Sequence, residues 1–322
     1  MSIFDEREKL RPYEYPHLLG YGKSIRKAFW DFDHFTYDRD VVDFKTKLTD
    51  FERQVIERSM LSIGVVENKV KKFWARIDIR LPKKEVSDVG HTFAANEVIH
   101  GDTYAELLDL LGLSEAFEKI DQVPEMQDRY VYLKRYLSGV NSRSNKEFTK
   151  SLILFTLLVE NCSLFTSFLT VSSFYKYKNV LENFNSAITA TSKEEAIHGK
   201  FGAELVNIIR SEFPEWFDDE MEQKIRRAIR KAYRAEEKVL SWVFEGGELD
   251  WISRKEIMEF LKQRLNDSLT QMKYDPEYEL DNKLLEKSEY MQTVLYSSID
   301  GDFFNGKLTD YSKSSITEDS MW

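Results

Sequence analysis

The sequence predicts an all-α bundle of long helices, and three observations carry that expectation. Six Pro and thirteen Gly are few for 322 residues, and a chain rich in Leu, Glu, Lys, Ala and Arg favours helix. The pattern Glu-x-x-His occurs twice, as Glu97-Val98-Ile99-His100 and Glu195-Ala196-Ile197-His198. Each copy follows a helical stretch whose apolar stripe is interrupted by one acidic residue, Glu67 in the first and Glu160 in the second. Together these predict a bundle built around a dinuclear metal–carboxylate centre.

The elements follow in chain order. Residues 1–45 read as an irregular, aromatic-rich segment containing Tyr13, Tyr15, Tyr21, Phe29, Trp30, Phe32 and Phe35. A first long helix begins at Thr49, where Glu52 three positions on completes a capping box. Its inward stripe is Ile56, Met60, Ile63, Glu67, Val70 and Trp74. Pro82 breaks the chain, and Ser87-Asp88 starts the second helix, which Gly112 closes. There Glu97, His100 and Tyr104 fall at i, i+3 and i+7 and share one face with Phe93, Leu107 and Leu108. A shorter helix follows near 125–137, then a loop at Asn141-Ser142-Arg143-Ser144. The third long helix is expected over 146–175 with Glu160 on its inner face. The fourth, over 183–210, presents Thr191, Glu195, His198 and Gly202. Pro214 opens a charged amphipathic helix that runs through Trp242 to Gly246-Gly247. Helices near 254–271 and 285–297 complete a folded domain over 1–298. From Ile299 to Trp322 the sequence reads as a mobile tail.

One Glu-x-x-His alone would be an ordinary solvated helix face. Two of them, each paired with a lone acidic residue in an apolar stripe, match the ligand set described for ferritin-like dimetal bundles. Four carboxylates and two imidazoles suit two Fe or Mn ions better than Zn, which prefers Cys and His in structural sites. Four negative charges balance two divalent cations, which removes most of the burial penalty. Lys71, one turn after Glu67, reads either as a snorkelling lysine or as a donor behind the metal ligands. His17, His34 and His91 belong to neither repeat and read as surface or packing residues.

Composition narrows the function classes. The formal net charge is −10 with no long basic block, so no nucleic-acid partner is indicated. One cysteine, Cys162, rules out a disulfide framework and suits a reducing cytosol. The first eight residues carry alternating charges and no apolar signal segment. The apolar stretch Ser151–Phe174 holds Glu160 and Asn161 near its middle, so it reads as a buried central helix and not as a membrane span. A cytoplasmic protein is expected.

These motifs resemble the radical-generating small subunit of class I ribonucleotide reductase, over nearly the whole chain. Tyr104 stands four residues after the first histidine, as the radical tyrosine does in that family. Phe29-Trp30 precedes the first ligand helix at the spacing of its electron-transfer tryptophan. Glu194 matches the acidic residue linking that tryptophan to a metal-bound histidine. Trp242-Val243-Phe244-Glu245-Gly246-Gly247 looks like the end of the family's next helix. Tyr311 resembles the tyrosine that passes the radical onward, in a tail resembling the segment that docks on the large subunit. The resemblance implies that Glu67, Glu97 and His100 hold one metal, that Glu160 and His198 hold the other, and that Glu97 and Glu195 bridge them. It implies a homodimer, a large catalytic subunit as partner, and conversion of ribonucleotides to deoxyribonucleotides by an oxidising equivalent delivered to a cysteine of that partner.

One residue departs from the family pattern: the first ligand is usually Asp and here is Glu67. With Lys71, this looks like the class Id subgroup, which uses a dimanganese centre, is activated by superoxide and keeps the oxidising equivalent on the metals. Mn/Mn is therefore favoured, with Fe/Fe or Mn/Fe left open, and with them a radical on Tyr104. Two other readings stand beside this one. A self-contained dimetal oxidase or oxygenase would need no exit route through Trp30, Glu194 and Tyr311, and a metal-free helical scaffold would need no complete ligand set.

Overall fold

The structure, a computed structural model, describes residues 2–7 and 9–295. Tyr311 and the tail from Ile299 lie outside them. Among the described residues the regular structure is all helical, with no strand: α1 (Leu19–Lys27), α2 (Asp38–Thr46), α3 (Asp50–Trp74), α4 (Lys84–Leu110), α5 (Ser114–Glu118), α6 (Gln127–Leu137), α7 (Asn145–Phe155), α8 (Phe165–Lys178), α9 (Glu182–Glu212), α10 (Asp219–Val243), α11 (Arg254–Gln271) and α12 (Asn282–Leu285). A last helical run ends the described chain at Leu295.

Local chemistry explains most of the boundaries. Thr49 accepts the Glu52 N–H at 3.2 Å while Glu52 accepts the Thr49 N–H at 2.7 Å, so α3 starts on the capping box read from the sequence. Ser253 and Glu256 do the same for α11, and Asp218 caps α10 through the Met221 N–H at 2.8 Å. The charged helix thus begins at Asp219, because Pro214–Trp216 forms only a 3-10 turn. Asn179 ends α8 in the left-handed region at φ 54°.

Three expectations need correction. Residues 1–45 are irregular only in part: among the described residues, 2–7 and 9–15 carry no helix, but Leu19–Lys27 forms α1 and α2 starts at Asp38. Helix α4 starts at Lys84, before Ser87, because tertiary pairs fix its first turn. Buried Glu85 accepts the backbone N–H groups of Glu14 and Tyr15 at 2.8 and 2.7 Å, and buried Lys83 pairs with Glu14 at 2.8 Å.

The helix expected over 146–175 is interrupted. After α7 a π-turn spans Thr156–Glu160, the chain turns through residues 161–164, and α8 restarts at Phe165. The Asn161 side-chain amide donates to the Thr156 carbonyl at 2.8 Å. Close approach to α9 fixes the distortion: a Cβ on Gly202 would lie 2.3 Å from Thr156 Oγ1, and one on Gly199 would lie 2.5 Å from Asn161 Nδ2. π-turns of this kind re-aim a side chain at functional sites, and here the re-aimed residue is Glu160. The apolar stretch 145–178 is wholly enclosed by other helices across its most hydrophobic window, which supports the buried central helix.

Helices α3, α4, α8 and α9, with the π-turn, surround the centre of the molecule, and α1 packs against both α4 and α9. A fully buried ion pair braces the far side. Arg129 of α6 donates to both Glu236 oxygens on α10 and, at 3.0 Å, to the Ser62 carbonyl on α3, while the Tyr132 hydroxyl also donates to Glu236. Cys162 is buried beside this network.

Candidate metal centre

Four helical elements direct six side chains to one point. Glu67 comes from α3, Glu97 and His100 from α4, Glu160 from the π-turn, and Glu195 and His198 from α9. All six are at most 1% exposed. Their ligand atoms form two quartets, Glu67–Glu97–His100–Glu195 and Glu97–Glu160–Glu195–His198, each within 4.8 Å. Glu97 and Glu195 belong to both. The doubled motif therefore produces a pair of adjoining sites with two shared carboxylates.

The histidines face the carboxylates through Nδ1. His100 Nδ1 lies 3.7 Å from Glu67, 3.5 Å from Glu97 and 3.1 Å from Glu195. His198 Nδ1 lies 3.1 Å from Glu97 and 3.6 Å from both Glu160 and Glu195. Burial pushes the carboxyls of Glu67 and Glu160 well above the usual range, and the neighbouring carboxylates push them further. Burial also works to raise Glu195, but the imidazoles of His100 and His198 facing it outweigh burial and hold that carboxyl low. Burial lowers both imidazoles, and the surrounding carboxylates reverse this and raise them well above their ordinary value.

The residues fit a pair of metal ions. Glu67 Oε1 and Oε2, Glu97 Oε1 and Oε2, Glu160 Oε2, Glu195 Oε1 and Nδ1 of both histidines are buried without a hydrogen-bond partner. Buried polar atoms are ordinarily paired, so a cluster of orphans needs a compensating charge. Every one of these orphans belongs to one of the two quartets. An all-oxygen and imidazole donor set is one that Mn or Fe accepts, so the cluster could hold a dinuclear centre.

Four further residues lie around it. Glu194 Oε2 accepts from Trp30 Nε1 at 2.8 Å and from His100 Nε2 at 2.7 Å, and the Trp30 and His100 rings are 6.1 Å apart. Donating through Nε2–H orients the His100 ring so that Nδ1 faces the quartet. Trp30 is 4% exposed and follows α1, held by the 3-10 turn Phe32–His34 that Asp31 and His34 cap together. Tyr104 is fully buried, donates to Thr191 Oγ1 at 3.3 Å, and has its phenol raised by burial and by Glu67. Lys71 is half-buried and lines a cavity of about 410 Å³ that also touches Tyr104, Gly101 and Phe117. Among the described residues it hydrogen-bonds none of the six ligand candidates.

One contact was not foreseen. Trp74 Nε1 donates to Glu160 Oε1 at 3.0 Å, with both side chains fully buried. Trp74 stood in the inward stripe of α3, but nothing in the sequence shows which polar atom its N–H meets. Phe93 lies tilted against the His198 ring at 4.1 Å between centroids and meets the Trp74 ring edge-on at 5.2 Å.

A helical bundle with paired carboxylate–histidine quartets in its core defines a ferritin-like dimetal-carboxylate protein. The family model for the ribonucleotide reductase small chain matches residues 7–284, and the chain belongs to that family. It is 21% identical to a probable ribonucleoside-diphosphate reductase small subunit of Invertebrate iridescent virus 3, over 100% of this chain and 89% of the relative. It is 23% identical to the small subunit of Dictyostelium discoideum, over 97% and 88%. In fold it is similar to the ribonucleotide reductase R2 subunit from Clostridium botulinum, with a TM-score of 0.76, 16% identity and coverage of 88% and 89%. It is similar also to the dimanganese(II)-NrdF of Streptococcus sanguinis, with a TM-score of 0.75, 15% identity and coverage of 92% and 100%.

The Trp74 contact is testable in metal-free protein. A hydrogen bond to a buried carboxylate contributes ~1–3 kcal/mol. A double-mutant cycle between Trp74→Phe and Glu160→Leu, read by urea unfolding, is expected to return a coupling of that size. A coupling near zero would mean that Glu160 finds its donor elsewhere.

Proposed function

We propose that this chain is the radical-generating small subunit of a class I ribonucleotide reductase, carrying two metal ions on Glu67, Glu97, His100, Glu160, Glu195 and His198. The observation that carries the reading is the continuous chain from Trp30 Nε1 through Glu194 Oε2 to His100, whose other nitrogen faces the quartet. A self-contained oxidase has no use for that outward connection, and family membership disfavours it. When bound, the two ions supply a one-electron oxidising equivalent.

The protein's residues do the rest. Glu194 holds the indole N–H of Trp30 and the Nε2–H of His100 on a single oxygen, so loss of an electron from Trp30 leaves positive charge against a carboxylate positioned to stabilise it or accept the proton. Stacking of the two rings and near-complete burial of Trp30 keep water from competing for that charge. Tyr104, one turn beyond His100, keeps its proton because burial opposes the phenolate. Onward transfer would run through Tyr311 to a cysteine of the large subunit, with which small subunits of this family work. A cytoplasmic homodimer is part of the same reading.

The finer assignment is the class Id subgroup with a manganese pair and the oxidising equivalent kept on the metals. Glu67 in place of the usual Asp supports it, as does Lys71 beside the cavity at Tyr104. The dimanganese neighbour of similar fold is in keeping with it.

Two experiments test the reading. With metal loading matched and the same large subunit, Tyr104→Phe is expected to keep turnover within about tenfold of the parent, the order of one lost hydrogen bond. Trp30→Phe is expected to abolish it. A dead Tyr104→Phe enzyme with a normal centre would transfer the oxidising equivalent to the tyrosine. Separately, deletion of residues 312–322 is expected to abolish turnover while metal content stays unchanged, and full activity in the truncated chain would restore the self-contained oxidase.

A further inference from the structure

The sequence has no long basic run, yet the fold gathers a cationic cluster on its surface. Helix α10 carries Lys224, Arg227 and Lys231 at spacings of three and four, so all three lie on one face. Arg135 of α6 and Lys150 of α7 join them, and the five side chains line a cavity of about 220 Å³ floored by Tyr136 and Leu154. No carboxylate lines it.

Its surroundings show that this is not the rule for the chain. On the same helix Arg226 and Arg230 both reach Glu277, at 2.9 and 2.5 Å. The adjoining groove shares Lys150 and Lys224 but includes Glu147, Asp218 and Glu220, with Lys146 paired to Asp218 at 2.6 Å. Within the cluster, Lys224 pairs with Glu220 at 2.6 Å. Among the described residues, Arg135, Lys150, Arg227 and Lys231 have no acidic partner. Like charges at these helical spacings oppose helix formation, and they converge here in a chain whose net charge is −10. A bound anion would relieve that repulsion.

We propose that this cavity binds a compact, multiply charged oxyanion of the polyphosphate type. Two guanidinium forks and three ammonium groups match the donors that phosphate oxygens accept. The cavity is smaller than the roughly 300 Å³ at which pockets for drug-sized ligands begin, so a di- or triphosphate group fills it and a folded acidic peptide does not. Side chains from three helices converge on it, which a flat electrostatic stripe would not require. It shares no residue with the metal quartets, so the proposal stands apart from the redox reading.

The test is calorimetric titration of the metal-loaded full chain with pyrophosphate, tripolyphosphate, ATP and orthophosphate. Sodium chloride matches ionic strength, and metal content is measured before and after to detect chelation. The expected result is one saturable site per chain for tripolyphosphate and pyrophosphate, tighter than for orthophosphate. Binding of ATP as tight as tripolyphosphate supports a nucleotide phosphate source, and weaker ATP binding supports a free polyphosphate. Arg227→Glu with Lys231→Glu is expected to weaken binding at least tenfold, while Lys255→Glu with Lys262→Glu, in a different cavity, leaves it unchanged. Both cluster residues are exposed, so the variant is expected to keep the parent's circular dichroism, and the milder Arg227→Gln with Lys231→Gln pair gives the same readout. Absence of saturable binding, binding unmoved by the cluster variants, or capture of a poly-glutamate peptide with none of tripolyphosphate would overturn the proposal.

Discussion

Four carboxylates and two imidazoles must share one dry interior, and the rest of the bundle is arranged to tolerate them. Each carboxylate is costly in that setting, and each makes its neighbours costlier. The helices cannot relieve this by turning the groups outward, because the same faces carry buried core residues such as Ile63, Phe93 and Ile188 that would then be exposed. A pair of divalent cations resolves the repulsion with charge and ligand number alike. The two quartets overlap in Glu97 and Glu195, so both ions would share the same two carboxylates and neither site could be lost without disturbing the other.

That constraint also explains why the surrounding residues are held so tightly. Glu194 stands next to Glu195 on α9 and uses one oxygen to tie His100 to Trp30, so the groups that would hold the ions and the route outward have a common anchor. Trp74 fixes the outer oxygen of Glu160. The π-turn that carries Glu160 is seated on Gly199 and Gly202, where α9 lacks the side chains that would push it away. Precision at the centre is thus supplied by groups that do not enter either quartet.

Much of this was legible in the sequence, for physical reasons that can be named. The gathering of Glu67, Glu97, His100, Glu160, Glu195 and His198 in one interior was legible because helical periodicity places a charged residue inside an apolar stripe only at some cost. Thr49 with Glu52 announced α3 because a capping box is local. What was missed depended on tertiary partners. The break after Thr156 needs the Asn161 amide and the small residues of α9, which lie far along the chain. The start of α4 rests on Glu85 meeting the backbone of Glu14 and Tyr15. The Trp74–Glu160 bond joins a residue that looked like ordinary core to one read as a metal ligand, and only the fold shows that they meet. The cationic cavity was invisible because its five residues come from three helices, and no two of them are adjacent in sequence.

The central claim is that this interior is built for two metal ions, and counting them is the most direct test. Elemental analysis of the purified chain, together with electron paramagnetic resonance of the activated protein, reads both occupancy and the species formed. The account predicts two ions per chain, a spectrum from a coupled manganese pair, and loss of at least one ion in both His100→Ala and His198→Ala. A folded chain that binds fewer than one ion when manganese and iron are supplied, or full dinuclear occupancy in both histidine variants, would contradict it.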